Sequence, residues 1–134
     1  MGFLKMKRPG EGAAARTTKT LGDAAEDAAL AHLQAAGLAL VARNYRTPGR
    51  GGGEIDLVMR SRRDGTLVFV EVRRRSSASH GGAGASITAL KQRRIVFAAR
   101  HFLLRLGHTP PCRFDVVLVQ GGQIEWLQAA FDAG

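Results

Sequence analysis

Asp56, Glu71 and Arg73 are charged residues set inside apolar segments, residues 53–58 and 67–73, and their types and spacing could do chemistry. In an extended strand, residues two apart share a face about 7 Å apart, so Glu71 and Arg73 point the same way, with Leu67 and Phe69 behind them. Val68, Val70 and Val72 then cover the opposite face, the pattern of a central, buried strand. Buried charges are costly unless they are paired, hydrogen-bonded or bound to a metal. Two carboxylates on neighbouring strands make a hard oxygen-donor site suited to magnesium or manganese, which favour carboxylate, water and phosphate oxygens. A cation bound there can polarise a phosphate and activate a water, while Arg73 offsets developing charge; that is the chemistry of phosphodiester hydrolysis. Glycoside hydrolysis also uses paired carboxylates, but 6% aromatic residues offer few sugar platforms. A structural alternative stays open, with Glu71 and Arg73 as a salt-bridged pair and Asp56 as a capping or edge acid.

The elements that must position these residues follow from turn and cap signals. Asp64-Gly65 separates the two acid-bearing segments, which therefore read as a hairpin. Residues 20–36 are Ala-rich and predict a helix, with Thr20 as N-cap, Asp23, Glu26 and Asp27 near its positive end, and Gly37 as its stop. Glu26 shares a face with Leu30 and Leu33, so it points inward as a third acid or serves as an ordinary surface residue favoured by the dipole. Residues 38–45 resemble a first strand, and residues 47–53 a flexible Gly-rich connection. A polar loop over 76–85 leads to a second helix over 86–106, with Ser86 as cap and Gly107 as stop. On that helix Ile87, Lys91, Ile95, Ala98 and Phe102 form one stripe, so Lys91 either faces the acids or extends to water. Two strands follow, 113–119 and 124–127, with Trp126 as a core anchor. The order is αβββαβ plus a C-terminal strand, a three-layer α/β domain with a central mixed sheet over residues 20–134, preceded by a basic flexible tail at 1–19.

The 134 residues have room for one domain and carry a formal net charge of +9, which points to an anionic partner. Residues 43–105 hold fourteen Arg and Lys against four acids, so the excess surrounds the hairpin. Arg50, Arg74, Arg75, Lys91, Arg93 and Arg94 are the candidates for contact with a phosphate backbone, and their affinity should fall with salt. Cys112 is the only cysteine, which excludes an internal disulfide and a thiolate metal site and suits a reducing cytoplasm. His32, His80, His101 and His108 lack zinc spacing, and neither glycine run completes a P-loop or a dinucleotide fingerprint. No stretch has the length of a transmembrane helix, so no membrane role is expected.

Asp56, followed after fourteen residues by Glu71-Val72-Arg73, resembles the D…(D/E)-x-K signature of restriction-endonuclease-like nucleases, whose core also runs αβββαβ. The segments 54–57, 69–73, 81–83, 91–94, 113–117 and 125–126, with Arg75, together resemble the YraN family of bacterial proteins over about residues 21–132. That family is itself similar to archaeal Holliday junction resolvases. The resemblance implies a restriction-endonuclease-like fold and a metal-dependent endonuclease acting on DNA or branched nucleic acid, DNA ahead of RNA. Asp56, Glu71 and Glu26 would hold magnesium or manganese, and Arg73 would occupy the catalytic lysine position. An Arg there stabilises charge but cannot act as a base. A resolvase-like role on a symmetric junction would favour a homodimer. The alternatives are a non-catalytic nucleic-acid-binding domain on the same fold and a protein-interaction module.

Overall fold

The computed structural model describes residues 18–75 and 87–134, so the N-terminal tail, the loop with Gly81, Gly82 and Gly84, His80 and the proposed Ser86 cap lie outside the described residues. Among the described residues two helices and five strands follow in the expected order: α1 (Thr18–Ala35), β1 (Leu38–Arg46), β2 (Glu54–Ser61), β3 (Leu67–Arg74), α2 (Ala89–Leu106), β4 (Cys112–Gln120) and β5 (Gln123–Phe131).

Helix α1 already includes Thr18, two residues before Thr20, and its first turn contains no acid. Asp23, Glu26 and Asp27 therefore sit about one and a half to two and a half turns inside rather than on the positive end. Gly37, at φ +101°, ends the helix as its missing Cβ allows. In α2 the cap is Thr88, whose Oγ1 accepts the Lys91 N–H at 3.1 Å, and Gly107 closes the other end in the left-handed region.

The sheet runs in the order β1-β2-β3-β4-β5. Strands β1 to β3 form an antiparallel meander, β4 joins β3 in parallel after the α2 crossover, and β5 returns antiparallel to β4. The alternation of β3 explains the layers: Val68 and Val70 pack with Ala25, Ala29 and Leu33 of α1, while Leu67 and Phe69 pack with Ile95, Ala98 and Ala99 of α2. One helix thus covers each face. With each fully buried large apolar side chain contributing roughly 1.5–3 kcal/mol, β3 is the spine of the domain.

Turn residues fix the connections. Gly65 takes φ +78° between β2 and β3, and Asp64 Oδ1 accepts the Thr66 N–H at 3.1 Å. The Gly-rich connection between β1 and β2 is closed by buried Thr47, whose Oγ1 accepts the Gly53 N–H at 2.8 Å. Gly53 has no room for a side chain, since a Cβ there would fall on the Arg94 carbonyl oxygen of α2. This close approach pins the start of β2 to α2. Strand β5 is longer than residues 124–127 and continues past a bulge, with Ala129 at φ +51°. Buried Asp115 organises that bulge, accepting from Ala129 N–H (2.9 Å), Trp126 Nε1 (2.8 Å) and Arg113 Nε (3.0 Å). Trp126 is therefore a core anchor, held by Asp115 and by an edge contact with His32. His101 likewise has a structural role, hydrogen-bonding the Tyr45 hydroxyl at 2.6 Å.

Candidate active site

Strands β2 and β3 pair from Arg60 opposite Leu67 to Leu57 opposite Val70, and there the ladder stops although both strands run on. Asp56 and Glu71 are the first residues beyond the last pair. The sheet opens into a fork at this point, and the Asp56 carboxylate sits in the opening, accepting the Val72 N–H of β3 at 2.8 Å. An acid here satisfies a backbone donor that the interrupted ladder would leave without a partner.

The fork coincides with a break in alternation. Leu57 and Met59 face α1, yet Ile55 packs with Val58 on the α2 side, although residues two apart ordinarily share a face. Opposite, on β1, Asn44 takes φ +53°, and Tyr45 packs toward α2 while Arg43 reaches the acids of α1. Both strands change face at the Asn44 and Asp56 level. Asp56 consequently lies near the plane of the sheet, where charges of both helical layers act on it.

Glu71 points to the α2 side behind Phe69 and is 6% exposed. Lys91 Nζ lies 3.7 Å from Glu71 Oε2 and 3.9 Å from Glu54 Oε2, and Arg46 Nε lies 3.6 Å from Glu54 Oε1. The charges therefore form a row from Arg46 through Glu54 and Lys91 to Glu71 and Asp56. Burial, followed by the Asp56 charge, pushes Glu71 up to about 8, against the opposing pull of Lys91 and Arg73. Asp56 is also raised, chiefly by burial, with the Val72 N–H and a hydrogen bond from Glu71 holding it back. Two carboxyl groups this close titrate as a pair that shares a proton, and the burial of Glu71 biases that proton toward it.

The proton has a consequence for stability. A carboxyl raised in the folded chain binds a proton that the unfolded chain releases, so its contribution is greatest below its ordinary 4.5 and is lost as pH rises through about 8. In metal-free buffer, thermal unfolding from pH 5 to 9 should show wild-type stability declining relative to Glu71→Gln, so that the variant is the more stable at the alkaline end. Parallel profiles would contradict this ionisation.

The structure brings Asp56, Glu71 and Lys91 together and sets Arg73 beside them, acting on Glu71 through its charge. Glu26 is within electrostatic reach: burial and then the Asp56 charge raise its pKa. Its carboxylate, however, faces Arg43, whose Nε lies 3.4 Å away and whose Nη2 pairs with Asp27 at 2.7 Å. Among the described residues no set of three His, Cys, Asp or Glu side chains converges as a closed metal cluster. Glu54 is the participant that the sequence reading passed over; its signal was the two-residue spacing to Asp56 together with its place opposite the basic end of β1.

The cations gather at the same end of the sheet, where β1 and β3 end and β2 and α2 begin. Arg50 lies in the β1–β2 turn, Arg74 and Arg75 follow Arg73, and Arg93 and Arg94 follow Lys91; Arg50, Arg74, Arg93 and Arg94 are exposed. Arg94 also has a structural bond, donating from Nε to the Gly52 carbonyl at 3.2 Å. A small groove of about 150 Å³ beside the fork is lined by Arg46, Glu54, Arg94 and the turn glycines. No helix of the described residues is long and apolar enough to cross a membrane.

This arrangement lies within a sequence shared across many bacterial proteins. A protein from Paracidovorax citrulli is 71% identical over 136 residues, covering 100% of both chains. One from an Acidovorax species is 67% identical over 133 residues, covering 99% of each, and one from Albidiferax ferrireducens is 70% identical over 117 residues, covering 87% of this chain and 91% of its own. All three carry the name UPF0102 protein. The model of that family matches residues 25–119, which span the helix-one acid, the fork and all but the last residue of strand β4. The chain belongs to the uncharacterised protein family UPF0102.

Proposed function

We propose that the protein is a metal-dependent nuclease of restriction-endonuclease-like fold that hydrolyses phosphodiester bonds in DNA or branched nucleic acid. The observation that carries the reading is the fork: a buried Glu71 and a half-buried Asp56, close enough to share a proton, open on the end of the sheet where the cations gather. The donor set fits magnesium or manganese. Two carboxylates take part of the coordination shell, and water and phosphate oxygens take the rest, as these ions prefer. A divalent ion bound there supplies a polarised phosphate oxygen and a bound water of lowered pKa.

The side chains of the chain have separable roles in this proposal. Asp56 and Glu71 hold the ion, with Asp56 oriented by the Val72 N–H. Glu26 modulates the site through its charge on Asp56. Arg73, at the position of the lysine in similar nucleases, and Lys91, against Glu71, offset negative charge as it builds on the phosphate. Arg50, Arg74, Arg75, Arg93 and Arg94 hold the strand backbone.

A cleavage screen over single-stranded, duplex, flap and four-way DNA and the matching RNAs, with magnesium, manganese or chelator, tests the proposal. Metal-dependent cuts in a DNA substrate are expected; a purified, folded protein that cuts none of these substrates would overturn it. The Lys91 contact favours one second reading, because a built-in cation beside Glu71 lets the site stand without metal. On that reading the domain binds nucleic acid without cutting it, and affinity falls steeply with salt but does not respond to chelator.

A further inference from the structure

Helix α2 turns Ile95, Ala98 and Ala99 into the core, and the opposite side of the same helix shows an unusual pattern. Among the described residues four large apolar side chains are exposed, and three of them are Leu90, Phe97 and Leu104, at 59%, 53% and 82%. They recur every seven residues. At about 100° per residue, seven residues make two turns less about 20°, so the three form one stripe along the helix, directly away from the core. Arg93 and Arg100 border it on one side, and Arg94 and Arg105 on the other.

Two grooves continue the stripe and meet at Arg100. One, of about 680 Å³, is lined by Arg93, Phe97, Arg100 and Asp132 among others; the next, of about 550 Å³, includes Arg100, Leu103, Leu104 and His108. Together they follow α2 over its whole length, roughly 27 Å at 1.5 Å per residue.

We propose that this face docks an acidic amphipathic helix of a protein partner, with apolar residues at heptad spacing flanked by Asp and Glu. Charge selects the occupant. Helix α2 carries Lys91, Arg93, Arg94, Arg100 and Arg105 and no acid, so a second copy of α2 laid on this stripe would set cations against cations. The chain's own segments at 1–17 and 76–86 contain a single acid, Glu11, and do not supply the complement. Nucleic acid would satisfy the arginines but leave Leu90, Phe97 and Leu104 in water, whereas a heptad helix buries all three and pairs the cations at its flanks. The proposal does not rest on the nuclease reading.

The test uses a fluorescein-labelled synthetic helix about three heptads long, with Leu at the apolar positions and Glu at the flanks. A Lys-flanked version and a composition-matched version with scrambled apolar spacing serve as controls. The full chain should bind the Glu-flanked peptide and neither control. Leu104→Ser and Phe97→Ser, made separately, keep every charge and should each weaken binding about 10-fold or more. Circular dichroism confirms that both variants fold, as their exposure implies. Equal binding of the scrambled peptide, or full binding by both variants, would overturn the proposal by reducing it to bulk charge. A wild-type dimer that Leu104→Ser turns into a monomer in sedimentation equilibrium would overturn it in favour of a second copy. Loss of duplex DNA affinity in the same variant, with peptide binding unchanged, would overturn it in favour of nucleic acid.

Discussion

If the protein is the proposed nuclease, replacing Asp56 by Asn is expected to lower metal-dependent cleavage by about 10³-fold or more while leaving the fold intact, because it would remove a charged donor from the proposed cation site but not a hydrogen-bond acceptor. The Asn amide oxygen can still take the Val72 N–H, the bond that closes the fork, now at 2.8 Å to Asp56. Its amide group can also face Glu71. Loss of the Asp56 charge removes one cause of the raised Glu71 pKa, so Glu71 titrates lower in the variant. Single-turnover rates, compared with near-ultraviolet circular dichroism and unfolding midpoints, separate chemistry from folding. Cleavage at the wild-type rate by a folded Asp56→Asn protein would remove Asp56 from the reaction.

Asp115→Ala is expected to have the largest effect on stability, roughly 3–5 kcal/mol, because it strands partners of a buried acid. Asp115 is fully buried, and three donors converge on it: Arg113 Nε, Trp126 Nε1 and the Ala129 N–H. Without the carboxylate the guanidinium, the indole and the N–H at the bulge lose their acceptor together, and β5 loses its register on β4. Asp115→Asn keeps one acceptor oxygen and should cost less. Urea unfolding followed by the emission of Trp126, the only tryptophan, measures both effects. A change below about 1 kcal/mol for Asp115→Ala would show that the bulge is held by other contacts. The role is structural: Asp115 faces the α1 side one register step from the fork, and its bonds run toward β5 rather than β2.

Much of this was legible in the sequence because it depends on local signals. The Asp64-Gly65 hairpin, Gly37 and Gly107 as helix stops, and the faces of β3 follow from turn chemistry and strict alternation, and each appears as expected. The placement of Lys91 on the buried stripe of α2, with Arg93, Arg94, Arg100 and Arg105 outside, follows from helical period alone. The missed details are those that tertiary context decides. Thr20 has the chemistry of a cap but lies inside a helix that already includes Thr18, and Thr88 rather than a residue further upstream caps α2. The fork required knowledge of where a ladder stops, which no periodicity encodes, and the change of face depends on a left-handed Asn44 that the pattern of β1 does not announce. Asp115 was visible only as part of a β-strand, since two of its three donors come from β5, eleven and fourteen residues away.

The central claim is that the Asp56 and Glu71 pair is a divalent-cation site, and titration calorimetry with magnesium and manganese near neutral pH tests it most directly. Two buffers of different ionisation enthalpy reveal the proton balance. Cation binding should displace the proton held by Glu71, so uptake should come with proton release, should tighten as pH rises toward about 8, and should be lost in Glu71→Gln. No binding of either cation by the folded protein, or binding without proton release that persists in Glu71→Gln, would contradict it.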